Sequence, residues 1–200
     1  LDDNSALDRV RTYADGGEDA DIWAGLAELG IPALLIPEAQ GGIGLQPLDA
    51  AIVAECLGSH IAPTPFLESA VMAPTALVAS SGDHDELLAE IAAGTTRIGI
   101  AFGEAIKRRN NAGVTVKDGR MSGTSMYAFD AEANAYLVAD QHQHIYLVRA
   151  DDPGLKRSHL ATVDKTRRTV ELNYDNVTAD LVSDDASVFT ATVDIGRMAL

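Results

Sequence analysis

Over residues 4–92 apolar side chains recur every third or fourth position, the period of helices with one buried face; from Ile98 to Val182 they alternate, the period of strands. A first helix is predicted over residues 4–15, with Leu7, Val10 and Tyr13 on one side and Gly16 and Gly17 at its end. Ile22, Leu26 and Leu29 form the stripe of a second, with Trp23 beside it, and Gly30 stops it because glycine enters the left-handed region without steric penalty. Ala33 to Ile36 is a short apolar run closed by Pro37 and reads as a buried extended segment; Gly41, Gly42 and Gly44 then make a tight turn. Trp23, Leu26, Leu29, Leu34, Leu35 and Ile36 are the expected core of this stretch. Pro47 suits the first turn of a third helix over residues 47–58, with Leu48, Ala51, Ile52 and Cys56 at helical spacing. Ala62 to Pro65 is extended, since each proline disfavours helix in the residue before it. Phe66 to Ala79 is helical by pattern and interrupted at Pro74. Asp83 with Glu86 reads as a capping box for a helix carrying Leu87, Leu88, Ile91 and Ala92.

The period changes at Gly94. Ile98, Ile100 and Phe102 alternate, as do Val114 and Val116, and Asp118-Gly119 marks a hairpin. Further strands are expected at Met126–Phe129, Tyr136–Ala139, Ile145–Arg149, Thr169–Tyr174 and Val177–Val182. Helices followed by a block of strands predict an α+β multidomain chain rather than βαβ units. The expected division is an N-terminal α-helical domain over residues 1–94, a mainly antiparallel β-domain over 95–185, and the start of a C-terminal helical domain over 186–200. Phe189, Val193, Gly196 and Leu200 lie on one face of that last helix. The pattern stops mid-stripe, which predicts a missing C-terminal domain and an uncovered apolar face.

Composition narrows the partners. A formal charge of −15 over 200 residues argues against nucleic acid and anionic membranes, whose phosphates repel such a surface. Small anionic ligands remain open, since a few local cations can hold a phosphate. No apolar run approaches the ~18 residues of a membrane span, and no signal peptide precedes the first helix. The single cysteine, Cys56, sits among apolar residues and reads as a core side chain in a reducing cytoplasm.

Little of the catalytic vocabulary is present. Gly42-Ile43-Gly44 lacks the third glycine of a dinucleotide loop, Pro47 standing in its place, and no βαβ unit surrounds it. His142 and His144 lie on or near a strand without further ligands nearby, and read as a solvated strand end. Asp83-His84-Asp85 reads as a solvated helix start. There is no serine in a G-x-S-x-G elbow and no phosphate-cradling loop. Lys107-Arg108-Arg109 is the one compact basic run, suited either to phosphate contact or to a solvated loop.

Trp23, Leu26, Glu28, Leu29, Gly30, Pro37, Glu38, Gly41, Gly42 and Gly44 match in order, without gaps, the N-terminal region of the acyl-CoA dehydrogenases, which the chain therefore resembles. Ala101-Phe102-Gly103-Glu104 resembles that family's flavin-contacting T-E-P segment, with Gly103 at the threonine and Ala105 at the proline; the Gly-Ser-Asp that follows in the family is not recognisable. Gly123 to Ala131 resembles a second flavin-side segment, with Ser125, Tyr127 and Phe129 at the family's lysine, tryptophan and threonine. Asp164 to Arg168, with Asp175-Asn176-Val177, resembles the D-x-T-R…D-x-V pattern of divergent bacterial members.

The resemblance implies FAD-dependent α,β-dehydrogenation of an acyl-CoA, with electrons passed to an external electron-transfer acceptor. It places Phe102, Gly103, Tyr127 and Phe129 at the cofactor, and it implies a homo- or hetero-oligomer with an acyl-CoA dehydrogenase-like chain. It nominates no catalytic base and no metal ligand. The altered flavin segments keep a rival open, a non-catalytic or half-site subunit of a heteromeric enzyme, and residues 1–200 alone are expected to be inactive.

Overall fold

A computed structural model describes residues 7–17, 20–107, 109–110 and 112–199. The N-terminal part holds α1 (Leu7–Ala14), α2 (Ala20–Glu28), α3 (Pro47–Ser59), α4 (Ala73–Ala79) and α5 (Asp85–Ala92). In α1 Val10 is buried and Leu7 exposed; residues 4–6 of the expected first helix lie outside the described residues. In α2 Ile22, Trp23 and Leu26 are buried as expected. Leu29 is not: it is 75% exposed, because the helix ends at Glu28 and Gly30, at φ 74°, turns the chain away before Leu29 can complete the stripe.

The expected extended segment is also corrected. Residues Ile31–Ala33 form a 3₁₀ turn, and Leu34 N–H and Ile36 N–H donate three residues back, to Ile31 and Ala33. Pro32, with its fixed φ and missing N–H, suits such a tight start. Leu34 and Ile36 remain buried, and Leu35 is half-buried. Gly42 is sterically required here, since a Cβ on it would stand 1.9 Å from the Ile36 carbonyl oxygen.

Pro47 opens α3, and Gln46 and Asp49 cap it reciprocally. Its buried face is not the expected one. Ala50 and Leu57 are buried, while Leu48, Ile52 and Cys56 are exposed, so Cys56 is a surface thiol rather than a core side chain. Apolar residues lie on both sides of α3, and their spacing fits either face. Downstream, Phe66–Met72 is a buried π-helical turn running directly into α4. Pro74 has no N–H to offer the preceding turn, and the Ala73 N–H donates to Glu68, five residues back, so the expected interruption is absorbed as extra winding. The Asp83–Glu86 capping box does not form: His84 stands at the N-cap of α5, and the Asp83 carboxylate accepts from Asp85 N–H. Leu87, Leu88, Ile91 and Ala92 are buried as expected.

Among the described residues the remaining chain forms one eight-stranded sheet. Its strands are β1 (Ile98–Ala101), β2 (Gly113–Lys117), β3 (Arg120–Phe129), β4 (Ala135–Ala139), β5 (Ile145–Arg149), β6 (Leu155–His159), β7 (Thr169–Thr178) and β8 (Asp180–Ser183). The order is β6-β7-β3-β1-β4-β5-β8, with β2 paired to β3. All pairs are antiparallel except β1–β4, which run parallel and are joined through the single turn α6 (Gly103–Ile106) and the β2–β3 hairpin. Asp118 and Gly119, at φ 51° and 71°, make that hairpin's two-residue turn. The apolar pattern does not mark β6, whose Lys156, Arg157, Ser158 and His159 are exposed. The run Val177–Val182 divides at Ala179, where the chain leaves β3 and joins β5.

β4 is buried on both faces because the sheet has a core on each side. On one, Ile98, Ile100, Leu137 and Leu147 pack against α4, α5 and α7 (Ala186–Met198). On the other, Met121, Tyr136, Val148 and Leu172 pack together. The expected uncovered face of α7 is covered: Phe189 and Val193 are buried, the Phe189 ring lies 5.2 Å from that of Phe102, and Gly196 packs on Met72. Leu200 lies outside the described residues. No helix among the described residues is long and apolar enough to cross a membrane.

Candidate functional site

The two segments flanking the C-terminal end of β1 meet through one carboxylate. Glu104, in α6, is buried; its Oε1 accepts from Arg109 Nη1 at 2.7 Å and its Oε2 from Met126 N–H at 3.3 Å. The Met126 amide is available because β3 bulges between Ser125 and Ala128, with Tyr127 at φ 57°. The bulge turns Tyr127 outward, 44% exposed, and the Arg109 guanidinium lies 5.0 Å from its ring centroid. Gly103 leaves room for this, since a Cβ there would stand 3.3 Å from Arg109 Nη1.

A second group of the same composition lies further along β3. Phe129, half-buried and opposite Ile100, carries the Arg167 guanidinium 5.4 Å from its ring centroid. Arg167 Nη1 donates at 2.8 Å to Oε1 of Glu68, which is 3% exposed on the π-helical turn. Glu68 Oε2 is buried without a partner. Burial raises the Glu68 carboxyl above the ordinary carboxylate value, against the pull of Arg167. Arg97 grips Asp130 with two hydrogen bonds, of 2.9 and 2.6 Å, and Arg168 binds Glu132 and the Gly17 carbonyl while lying over the Tyr13 ring.

Of the residues that the sequence places at a cofactor, Gly103 and Tyr127 thus share one cluster and Phe129 belongs to the other. Phe102 is buried against Phe189 and presents no surface. The nearby hydroxyls are committed: Thr124 donates to Asn173 at 2.9 Å, and Ser125, itself buried, accepts from Tyr174 at 3.3 Å. One face of each aromatic ring is stacked by a guanidinium group that a buried carboxylate holds, so an isoalloxazine ring would meet Tyr127 and Phe129 only on their other faces or after Arg109 and Arg167 move.

Glu68 and Glu104 were legible only in part. Glu68 is the lone acid in the apolar run Phe66–Met72, a sign of a buried pair, and Glu104 stands within the flavin-like segment. In the basic run, Arg109 serves Glu104, Lys107 is exposed and Arg108 lies outside the described residues. His142 and His144 sit in a turn whose two N–H groups donate to Asp140, and no cluster of three metal-ligating side chains occurs among the described residues. His84 is half-buried, its Nε2 without a partner, and burial lowers its basicity.

Comparison with known proteins identifies residues 3–95 with the acyl-CoA dehydrogenase N-terminal domain. FadE27, an acyl-CoA dehydrogenase of Mycobacterium tuberculosis, is 31% identical over 151 residues, 72% of this chain and 40% of FadE27. Among solved structures, the Tcur3481-Tcur3483 steroid ACAD superposes at a TM-score of 0.84 with 26% identity, over 98% of this chain and 57% of that one. The ChsE4-ChsE5 complex of M. tuberculosis shares the fold at a TM-score of 0.83 with 23% identity, over 99% of this chain and 58% of that one. The chain spans 27% to 40% of the length of the curated relatives it matches.

Proposed function

Because the chain belongs to the acyl-CoA dehydrogenase family, by its N-terminal domain and its fold, we propose that it serves as one subunit of a heteromeric acyl-CoA dehydrogenase, with the flavin held chiefly by a partner chain. The reaction of such an assembly is removal of two hydrogens from Cα and Cβ of an acyl thioester, with the electrons delivered to an external acceptor. The observation that carries this reading is the pair of stacks, Glu104–Arg109–Tyr127 and Glu68–Arg167–Phe129, which occupy one face of each aromatic ring on the segment that resembles the family's flavin side. The paired names of the Tcur3481-Tcur3483 and ChsE4-ChsE5 proteins support a two-chain assembly for this chain as well. This chain's share is a packed helical and β scaffold.

The test is to purify the chain with and without a co-expressed family partner and to measure FAD per polypeptide. The expected result is little flavin on the chain alone and fewer FAD molecules than polypeptides in the two-chain assembly. One FAD per copy of this chain, in the absence of a partner, would restore the reading of a self-sufficient flavoenzyme.

A further inference from the structure

The apolar side chains that α3 leaves outside continue into one patch. Leu48 and Ile52 lie four residues apart on one face of α3 and are more than half exposed, while Ala50 and Leu57 take the buried face. Leu45 precedes Leu48 by three residues and Ile43 precedes Leu45 by two, and both are exposed. Ile43 reaches across to Gly30, where its Cδ1 would stand 3.2 Å from an added Cβ, and the exposed Leu29 is next to that glycine in sequence. Leu29, Ile43, Leu45, Leu48 and Ile52 thus run from the end of α2 along α3.

The surroundings of this patch carry one sign of charge. From residue 12 to residue 96 the sequence holds thirteen Asp and Glu and no Lys or Arg. Glu28 precedes Leu29, and Glu55 lies three residues past Ile52 on α3. Glu38 stands beside Gly44, between Ile43 and Leu45, its Cγ 3.9 Å from the Cβ that this glycine lacks. All three are exposed, and none has an ion-pair partner among the described residues. A two-fold contact would set this acidic ring against its own copy, so like charge disfavours a second copy of the chain. A cationic ring on a different protein is attracted instead, and steered in from a distance.

Size decides the kind of contact. Five side chains exposed to this degree make an apolar patch on the order of 500 Å², the scale of the largest patches on monomers, which are often functional. A permanent subunit interface buries roughly 2,000 Å² or more, so the patch suits a contact that forms and releases. We propose that Leu29 to Ile52 is a transient docking face for a basic protein, one that places leucine-sized side chains on Leu45, Leu48 and Ile52 and rings them with lysines and arginines facing Glu28, Glu38 and Glu55. The face requires neither the flavin nor the second family chain of the reading above, and its binding is measured on this chain alone.

The test uses three peptides of one length, KKLLKK, KKSSKK and EELLEE, titrated into the isotopically labelled chain with amide shifts followed by NMR. KKLLKK should bind about tenfold tighter than either of the others, with its shifts centred on residues 43–56, because it alone offers both apolar area and the right charge. Raising the salt from low to about 0.3 M should weaken it several-fold, as for exposed charges. Leu48→Ser with Ile52→Ser, at exposed positions that the core does not need, should bring KKLLKK down to the level of KKSSKK. Leu181→Ser, a comparably exposed leucine in β8, should leave the titration unchanged. Equal binding of KKLLKK and KKSSKK, shifts centred elsewhere, no effect of the Leu48 and Ile52 changes, or an equal effect of Leu181→Ser would overturn the proposal. So would a dimer of the chain that the Leu48 and Ile52 changes dissolve in sedimentation, since the face would then belong to a second copy.

Discussion

The indole N–H of Trp23 donates to the Gly94 carbonyl at 3.0 Å, across 71 residues, and so ties α2 to the point where the chain leaves its helices for its sheet. The bond explains why one tryptophan in the helical part bears on the β part. Trp23→Phe keeps most of the apolar surface but strands the carbonyl, and should lower stability by about 1–2 kcal/mol. Urea unfolding of the two proteins checks this, and equal midpoints with equal slopes would remove the bond's importance.

Leu26 and Leu29 separate the part of the pattern that holds from the part that fails. Leu26→Ala should cost about 2–5 kcal/mol, because its side chain is buried in the helical core. Leu29→Ala should stay within about 0.5 kcal/mol, as for an exposed position. A large loss at Leu29 would mean that another surface covers it.

Much of the architecture was legible because helical and alternating periods are separated at Gly94, and the hairpin at Asp118-Gly119 carries its own turn chemistry. The failures have a common cause. Spacing locates a stripe but does not say where a helix stops, as at Leu29, nor which of two apolar faces turns inward, as in α3. Edge strands with polar side chains on view, such as β6, leave no periodic trace. The candidate site was legible as segments but not as chemistry: Tyr127 and Phe129 are visible in sequence, whereas Arg167 reaches Glu68 across 99 residues, which no local pattern reports.

Gly42 offers a sharper test of the turn after α2. Gly42→Ala places a Cβ against the Ile36 backbone, where no side-chain movement can relieve it. The expected loss is about 3 kcal/mol or more, the upper end of overpacking. Thermal unfolding of the alanine variant measures it; a neutral result would show that the turn has a second conformation of similar energy.

The buried Glu68 makes stability depend on pH in a direction opposite to most carboxylates. Burial raises its folded value above the ordinary 4.5, so between 4.5 and that raised value the folded state holds more proton than the unfolded one. The stability contribution of this group is therefore full below pH 4.5 and falls as pH rises through the window. Glu68→Gln carries no titrating proton, so the difference in stability should move in the variant's favour as pH is raised from 4.5. Denaturant melts of both proteins across that range check the sign, and a difference that stays constant or moves the other way would contradict it.

The Glu104–Arg109 pair predicts an asymmetry that distinguishes a true buried anchor from a surface ion pair. The Glu104 side chain is 4% exposed, whereas that of Arg109 is 41% exposed. Removing Arg109 leaves a buried carboxylate with Met126 N–H as its remaining hydrogen-bond partner, and breaking such a pair from the cationic side costs about 3 kcal/mol or more. Removing Glu104 leaves a cation that can turn to water, and the loss there is the smaller one of a hydrogen-bonded contact, about 1–2 kcal/mol. Arg109→Ala should therefore destabilise more than Glu104→Ala, and the double variant should be more stable than Arg109→Ala alone, because the second change removes the stranded charge. A double-mutant cycle by urea unfolding reads all three numbers. Additive losses, or a larger loss for Glu104→Ala, would mean that Arg109 does not hold the carboxylate in place, and the guanidinium stacked on Tyr127 would lose its anchor.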